Sequence, residues 1–228
     1  MIRSGRRWVR RGVGPERAGP DARESSVELL DEKLLTRLEE GFRRIARRSG
    51  AWLRCGPGCS ECCQGPFPIT KLDALRLRNG WLALRASDPE RAERIRRRAR
   101  RTVSILRERY PGDPADGRPG DDVRALDRFL SLHEGLRCPA LDPHSERCDL
   151  YEARPVACRT YGPPLRFAGE PAPHCPLCFR GAGAALVERC RYEPDPEGLE
   201  EALLGRMGVA AGREWETLIA FVLSGDYR

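Results

Sequence analysis

The sequence predicts a mainly α fold: a small helical domain with irregular cysteine-rich metal-binding loops and at most a short β-hairpin. Two observations carry this. Apolar residues recur at helical spacing in several segments, with no βαβ alternation and no internal repeat. The ten cysteines of the 228-residue chain are concentrated in stretches rich in Gly and Pro, where regular structure is disfavoured and side chains can converge on a point. The length suffices for one domain with its own core.

Residues 1–24 are rich in Arg, Gly and Pro, show no periodicity, and read as a disordered tail. Residues 25–228 read as a single metal-binding domain. Ser25-Ser26-Val27-Glu28 has capping-box spacing, and Leu30, Leu34, Leu38, Phe42 and Ile45 follow on one helical face. Thr70 is the expected N-cap of a second helix carrying Leu72, Leu75 and Leu77. Ser87-Asp88-Pro89-Glu90 opens a third, because proline is well placed in a first turn. Its basic run over residues 91–101 reads as a solvated face, with anion binding the alternative. Residues 110–120 read as a loop, and Asp121-Asp122 caps a helix with Leu126, Phe129 and Leu130. The segment from about 70 to 134 is thus a helical insert between two cysteine-bearing parts. Residues 162–228 form a cysteine-rich and helical closing segment, with helices expected over 197–207 and 213–224.

The formal charge of +7 could signal nucleic acid, but 39 of the 41 basic residues are arginine. That imbalance looks like coding bias rather than a phosphate footprint, so composition argues against nucleic acid. The longest apolar runs, such as 218–223, fall well short of a membrane span. The basic N-terminus has no apolar region behind it and does not read as a secretory signal, twin-arginine type included. A cytoplasmic, reducing compartment follows, where clustered cysteines are more often metal ligands than disulfides. The expected partner is a metal ion, with no membrane and no indicated protein partner.

The informative stretch is Cys55-Gly-Pro-Gly-Cys59-Ser-Glu-Cys62-Cys63. Adjacent cysteines fit poorly around one tetrahedral ion and would strain a disulfide between them. The doublet therefore points to a cluster, or to two sites meeting at this loop. Cys138 and Cys148 flank a turn-rich step that could be a short hairpin, and Pro155 starts the turn carrying Cys158. Cys175-x2-Cys178 has zinc-knuckle spacing, and Cys190 completes the ten candidate ligands. A shared site for Cys63 and Cys138 would tie together the ends of the insert. Histidines 144 and 174 stand beside cysteines as further candidates; His133 reads as a bystander.

Cys55-x3-Cys59-x2-Cys62-Cys63 followed by Cys138-Pro-x-Leu and Cys148-x-Leu-Tyr151-Glu152-x-Arg154-Pro155-x-x-Cys158-Arg159-x-Tyr161 resembles the CxxCxxCC, or YkgJ-type, cysteine-cluster family. The second half matches that signature residue for residue; the first departs in having three residues between Cys55 and Cys59. The resemblance covers roughly residues 50–165. It implies a zinc, iron or iron–sulfur site and no settled activity, some relatives being described as Fe–S oxidoreductases and a similar motif occurring in flagellin lysine N-methylases. Cys55, Cys59 and Cys62 also match the radical SAM triad, but the chain lacks the strand pattern for a (β/α) barrel. An iron–sulfur cluster or iron and structural zinc remain the leading readings, with disulfides or free thiols the third. Arg154 and Arg159 are expected to stabilise an anionic thiolate centre, and Tyr151 to pack under the loop. No phosphate loop, Ser/His/Asp order or HExxH motif is present, and an enzymatic role is left open.

Overall fold

The computed structural model describes residues 22–167, 169–209 and 216–227. The first 21 residues, most of the expected tail, lie outside these, as does Trp215, expected on the last helix's core face. Helix α1 spans Ala22–Ser49, so it starts upstream of the expected capping box. Its buried residues Leu34, Leu38 and Ile45 keep the helical spacing read from the sequence.

The insert forms as its capping residues dictate. Thr70 Oγ1 accepts the Asp73 amide at 3.3 Å and opens α2, Lys71–Ser87. Asp88 accepts the Arg91 amide at 3.0 Å and opens α3, Pro89–Leu106. Each cap satisfies an amide that has no partner inside its helix. The expected loop over 110–120 contains a small hairpin, β2 (Gly112–Asp113) against β3 (Arg118–Pro119). Tyr110 Oη donates to the Gly117 carbonyl at 2.6 Å and fastens it. Gly117 has φ +77, and a side chain there would run into the Phe221 ring. Asp122 then caps α4, Val123–Leu132, at 3.0 Å.

Downstream lie α5 (Val156–Thr160), the hairpin strands β4 (Leu165–Phe167) and β5 (Glu170–Ala172), α6 (Ala184–Cys190) and α7 (Leu199–Arg206). The chain from Ala184 to Cys190, for which the sequence suggested no element, is helical. The last expected helix is shorter than its apolar pattern: α8 covers only Ile219–Ser224. Thr217–Leu218 is instead a strand, β6, paired antiparallel with β1 (Pro68–Ile69). Among the described residues, the sheet content is three two-stranded antiparallel pairs rather than one hairpin. No helix of the described residues is long and apolar enough to cross a membrane.

The insert is not an appendage. All six residues of α8 are buried. This helix packs against α2 and α3, so the core is built from Leu77, Trp81, Ile95, Ala99, Ile219 and Leu223, with Cys138 and Cys148 resting on it. Phe221 completes an aromatic group with Tyr110 (centroids 5.7 Å) and Phe129, which meets Tyr110 edge-on at 5.3 Å. A separate apolar group joins α1 to α7 through Leu34, Leu38, Leu199 and Leu203.

A charged seam runs beside that group. Arg76 pairs with Asp31 of α1 and, at 2.7 Å, with Asp73. Glu200 on α7 accepts from Thr70 Oγ1 at 3.2 Å. Burial, reinforced by the Asp73 carboxylate, pushes Glu200 up to about 7. A folded chain that holds this proton where the unfolded chain has lost it loses stability as pH rises from the ordinary carboxylate range to about 7. Glu200→Gln removes the cost. The variant and wild type are expected to unfold alike near pH 4 and to diverge with rising pH, the variant gaining roughly 1–3 kcal/mol above neutrality in urea denaturation.

Candidate metal centre

Two chain segments meet first through their backbones. Cys62 and Cys63 lie in a 3₁₀ turn, Glu61–Cys63. Directly after it, the Cys63 carbonyl accepts the Cys138 amide at 2.8 Å and Gly65 donates to Leu136 at 2.8 Å. Gln64 and Arg137 form the bridge between these bonds. The ends of the insert are therefore clipped by main-chain pairing, and Cys63 and Cys138 are set side by side.

The segment from Cys138 to Asp149 is a hairpin-like turn, as its spacing suggested. Leu141 bridges Cys148, and Asp142 Oδ1 accepts the amides of His144 and Ser145 at 3.0 and 2.8 Å. What anchors it was not visible in the sequence. The Asp149 carboxylate, its side chain only 2% exposed, receives Arg91 at 2.7 Å and Arg98 at 2.6 Å from α3. Arg98 Nε also donates to the Pro139 carbonyl at 2.8 Å. Two residues of the run read as a solvated basic face thus hold the cysteine turn. Cys158 arrives on α5, whose first amide, Val156, donates to Asp73 Oδ1 at 3.0 Å.

These contacts bring Cys62, Cys63, Cys138, Cys148 and Cys158 into one neighbourhood. The Cys63 thiol hydrogen-bonds to Cys62, which lowers Cys62 to about 7 against the opposing effect of burial, with Arg154 assisting. Cys63 is correspondingly driven far up, with burial and the nearby Cys138 and Cys148 adding to the effect. Burial pushes Cys138 up to about 12, although the amides of Ala140 and Leu141 point at its sulfur. Burial likewise raises Cys148, against the Leu150 amide aimed at it, and raises Cys158 well above an ordinary thiol, with Cys138, Cys62 and Cys148 contributing. Cys63, Cys138, Cys148 and Cys158 thus resist ionising in company, an environment that a cation would reverse.

Cys55, Cys59, Cys175, Cys178 and Cys190 lie apart from that group. Cys175, Cys178 and Cys190 are buried together with Phe179, and Cys55 packs against them. Burial first, then Cys178, Cys59 and Cys175, raise Cys55. The doublet therefore belongs wholly to one neighbourhood, while the loop that carries it serves both. All ten cysteines are free. Among the described residues, no group of three or more His, Cys, Asp or Glu side chains is placed to hold a metal ion.

The arginines and the tyrosine behave differently from one another. Arg154 lies over the Tyr151 ring at 3.7 Å, and its buried Nε has no hydrogen-bond partner. Arg159 is committed elsewhere: it pairs with Glu39 of α1 at 2.9 Å and donates to the carbonyls of Arg154, at 3.1 Å, and Glu152. Tyr151 does not pack under the loop; it is 55% exposed, because Leu150 takes the core position and the following 3₁₀ turn rotates the ring outward. His144 is exposed. His174 meets Phe179 edge-on at 5.8 Å, and His133 Nδ1 lies 2.8 Å from the Phe129 carbonyl.

The centre is a group of partly buried thiols from three segments, with amides aimed at the Cys138 and Cys148 sulfurs. The model of the CxxCxxCC family, described as a "putative zinc- or iron-chelating domain", matches residues 54–176, more than half of the sequence, and the chain belongs to that family. Comparisons with curated proteins and with solved structures give no significant match.

The Asp149 clasp is open to a direct check. Asp149→Asn leaves Arg91 and Arg98 without their carboxylate, and is expected to destabilise the metal-free protein by about 1–3 kcal/mol in urea denaturation. An unchanged midpoint would show that the clasp contributes nothing.

Proposed function

We propose that the protein holds zinc or iron through Cys62, Cys138, Cys148 and Cys158, with Cys63 as a fifth thiol, at the point where the two ends of the helical insert meet. The carrying observation is that five cysteines from three separate segments share one largely buried neighbourhood, with backbone amides aimed at the Cys138 and Cys148 sulfurs. On this reading residues 25–228 act as one metal-binding domain. The metal would convert the closure of a 74-residue separation into folding stability. Four thiolates around a dication keep a net negative charge, and Arg154, whose field already lowers Cys62 and opposes the raising of Cys148, supplies the offsetting cation. Arg159 serves by bracing α5 against α1. The ten free thiols suit a reducing, cytoplasmic compartment.

A second reading rests on the doublet. Adjacent thiols fit poorly around one tetrahedral ion, whereas the larger span of an iron–sulfur cluster, also held by four thiolates, accommodates them, and with it an electron-transfer or group-transfer role. Anaerobically purified protein separates the two: broad visible absorbance with acid-labile sulfide identifies the cluster, and colourless protein carrying zinc identifies the simple chelate. In either case Cys158→Ser is expected to lose most of the metal of this centre, measured by elemental analysis. Stripping the metal with a chelator under reducing conditions should lower Tm. Full metal retention by Cys158→Ser would remove it from the ligand set.

A further inference from the structure

The second group of thiols has its own architecture. Cys55 Sγ stands 3.9 Å from Cys178 Sγ. Around a tetrahedral zinc, thiolates at about 2.3 Å from the ion are separated by about 3.8 Å. The two sulfurs are therefore one ligand edge apart, and well beyond the roughly 2.05 Å of a disulfide bond.

The surrounding chain is arranged to keep them there. Cys178 donates its amide to the Cys175 carbonyl at 2.9 Å, closing the Cys175-Pro-Leu-Cys178 turn. The amides of Leu177 and Cys178 also point at the Cys175 sulfur. On the facing loop, Cys59 donates to the Gly56 carbonyl at 3.0 Å, which folds the Cys55-Gly-Pro-Gly-Cys59 segment back on itself. The Cys175–Cys178 turn is tied to the chain around Cys55: Phe179 donates to Trp52, three residues before Cys55, at 2.8 Å, and Cys175 donates to Gly162 at 3.2 Å. Gly162, at φ +134, is held open for the sulfur, since a Cβ built on it would lie 2.5 Å from Cys55 Sγ. Cys175 and Cys178 are each 2% exposed, and Cys190, 1% exposed, packs behind them. The matched family region ends at residue 176, so Cys178 and Cys190 lie outside it.

We propose that Cys55, Cys59, Cys175 and Cys178 form a second metal site, separate from the central one, for a thiophilic dication of the zinc class. Two turns of the Cys-x3-Cys and Cys-x2-Cys types supply a pair of sulfurs each, and Cys190 is a buried packing thiol behind them. The sulfurs are not yet focused on one point, so the ion gathers them by rotation about their Cα–Cβ bonds. Its binding displaces the thiol protons to solvent. The structural effect is to fasten the chain beyond residue 162 to the loop that also carries the Cys62-Cys63 doublet. This site does not rest on the central one.

The test is a metal count on the full-length chain, reduced, stripped and reconstituted anaerobically with zinc alone, read by native mass spectrometry. Wild type is expected to hold one zinc more than Cys178→Ser. Cys158→Ser is expected to keep the zinc that Cys178→Ser loses, and Cys190→Ala to match wild type. Cys178→Ser retaining the wild-type count overturns the proposal. Loss of an equivalent in Cys190→Ala overturns the ligand set in favour of Cys190 over Cys59. Failure of the central reading looks different, with the count unchanged in Cys158→Ser alone. Should Cys178→Ser not fold, cobalt(II) titration of Cys158→Ser decides. A rise of thiolate-to-metal absorbance that saturates at one equivalent supports the second site, and no rise there overturns it.

Discussion

One carboxylate settles where the cysteine turn sits. Asp149 is nearly inaccessible to water and carries a charge that would be costly to bury alone. Arg91 and Arg98, two turns apart on one face of α3, meet it together. The turn from Cys138 to Cys148 is thereby fixed to the helix that packs against α8, and its cysteines rest on the main core instead of hanging in a loop. Asp73 plays the matching part for Cys158, receiving the first amide of α5 while it is itself paired with Arg76. The cysteine-bearing segments contain little regular structure of their own, so their geometry is borrowed from charges planted on α2 and α3.

Much of the helical framework was legible because its signals are local. Thr70, Asp88 and Asp122 cap the helices their positions suggested, and the 3.6-residue spacing of Leu34, Leu38 and Ile45 survives as a buried stripe. Cys138, Cys148 and the Pro155 turn were placed by Pro and Asp chemistry close to each of them in sequence. The failures are non-local. Thr217-Leu218 continues a helical apolar pattern but is claimed by pairing with Pro68-Ile69, some 150 residues earlier, and no local propensity reports that. The role of Arg91 and Arg98 depends on a carboxylate far downstream, so the run of arginines read first as a solvated face, with anion binding the alternative. Tyr151 failed for a related reason: the core position belongs to its neighbour Leu150, and one residue of rotation separates inside from outside.

The cysteines divide in a way that spacing alone could not show. Chain order suggests one loop at 55–63 facing one partner at 138–158. In three dimensions the loop is shared: its doublet faces the insert, while Cys55 and Cys59 face the segment beyond residue 162. Cys55 differs from the doublet in environment as well as in place, for Gly162 and Tyr161 wall it off, and the Tyr161 hydroxyl is hydrogen-bonded to Cys175. The spacing anomaly at Cys55-x3-Cys59 then has a physical meaning. The extra residue lies in the turn closed by the Cys59 amide on the Gly56 carbonyl.

The pairing of β1 with β6 also bears on the order in which the molecule can be built. Residues 68 and 69 emerge from the ribosome long before residues 217 and 218, and α8, wholly buried between α2 and α3, is made later still. The helices of the insert can form early, since their caps and apolar faces are local, but their shared interior stays open to water until the last part of the core is supplied. Closure of so distant a contact is slow in proportion to the chain that must be searched. The main core is finished from the far end of the chain, and until then its thiols are presented to whatever metal or oxidant the surroundings contain.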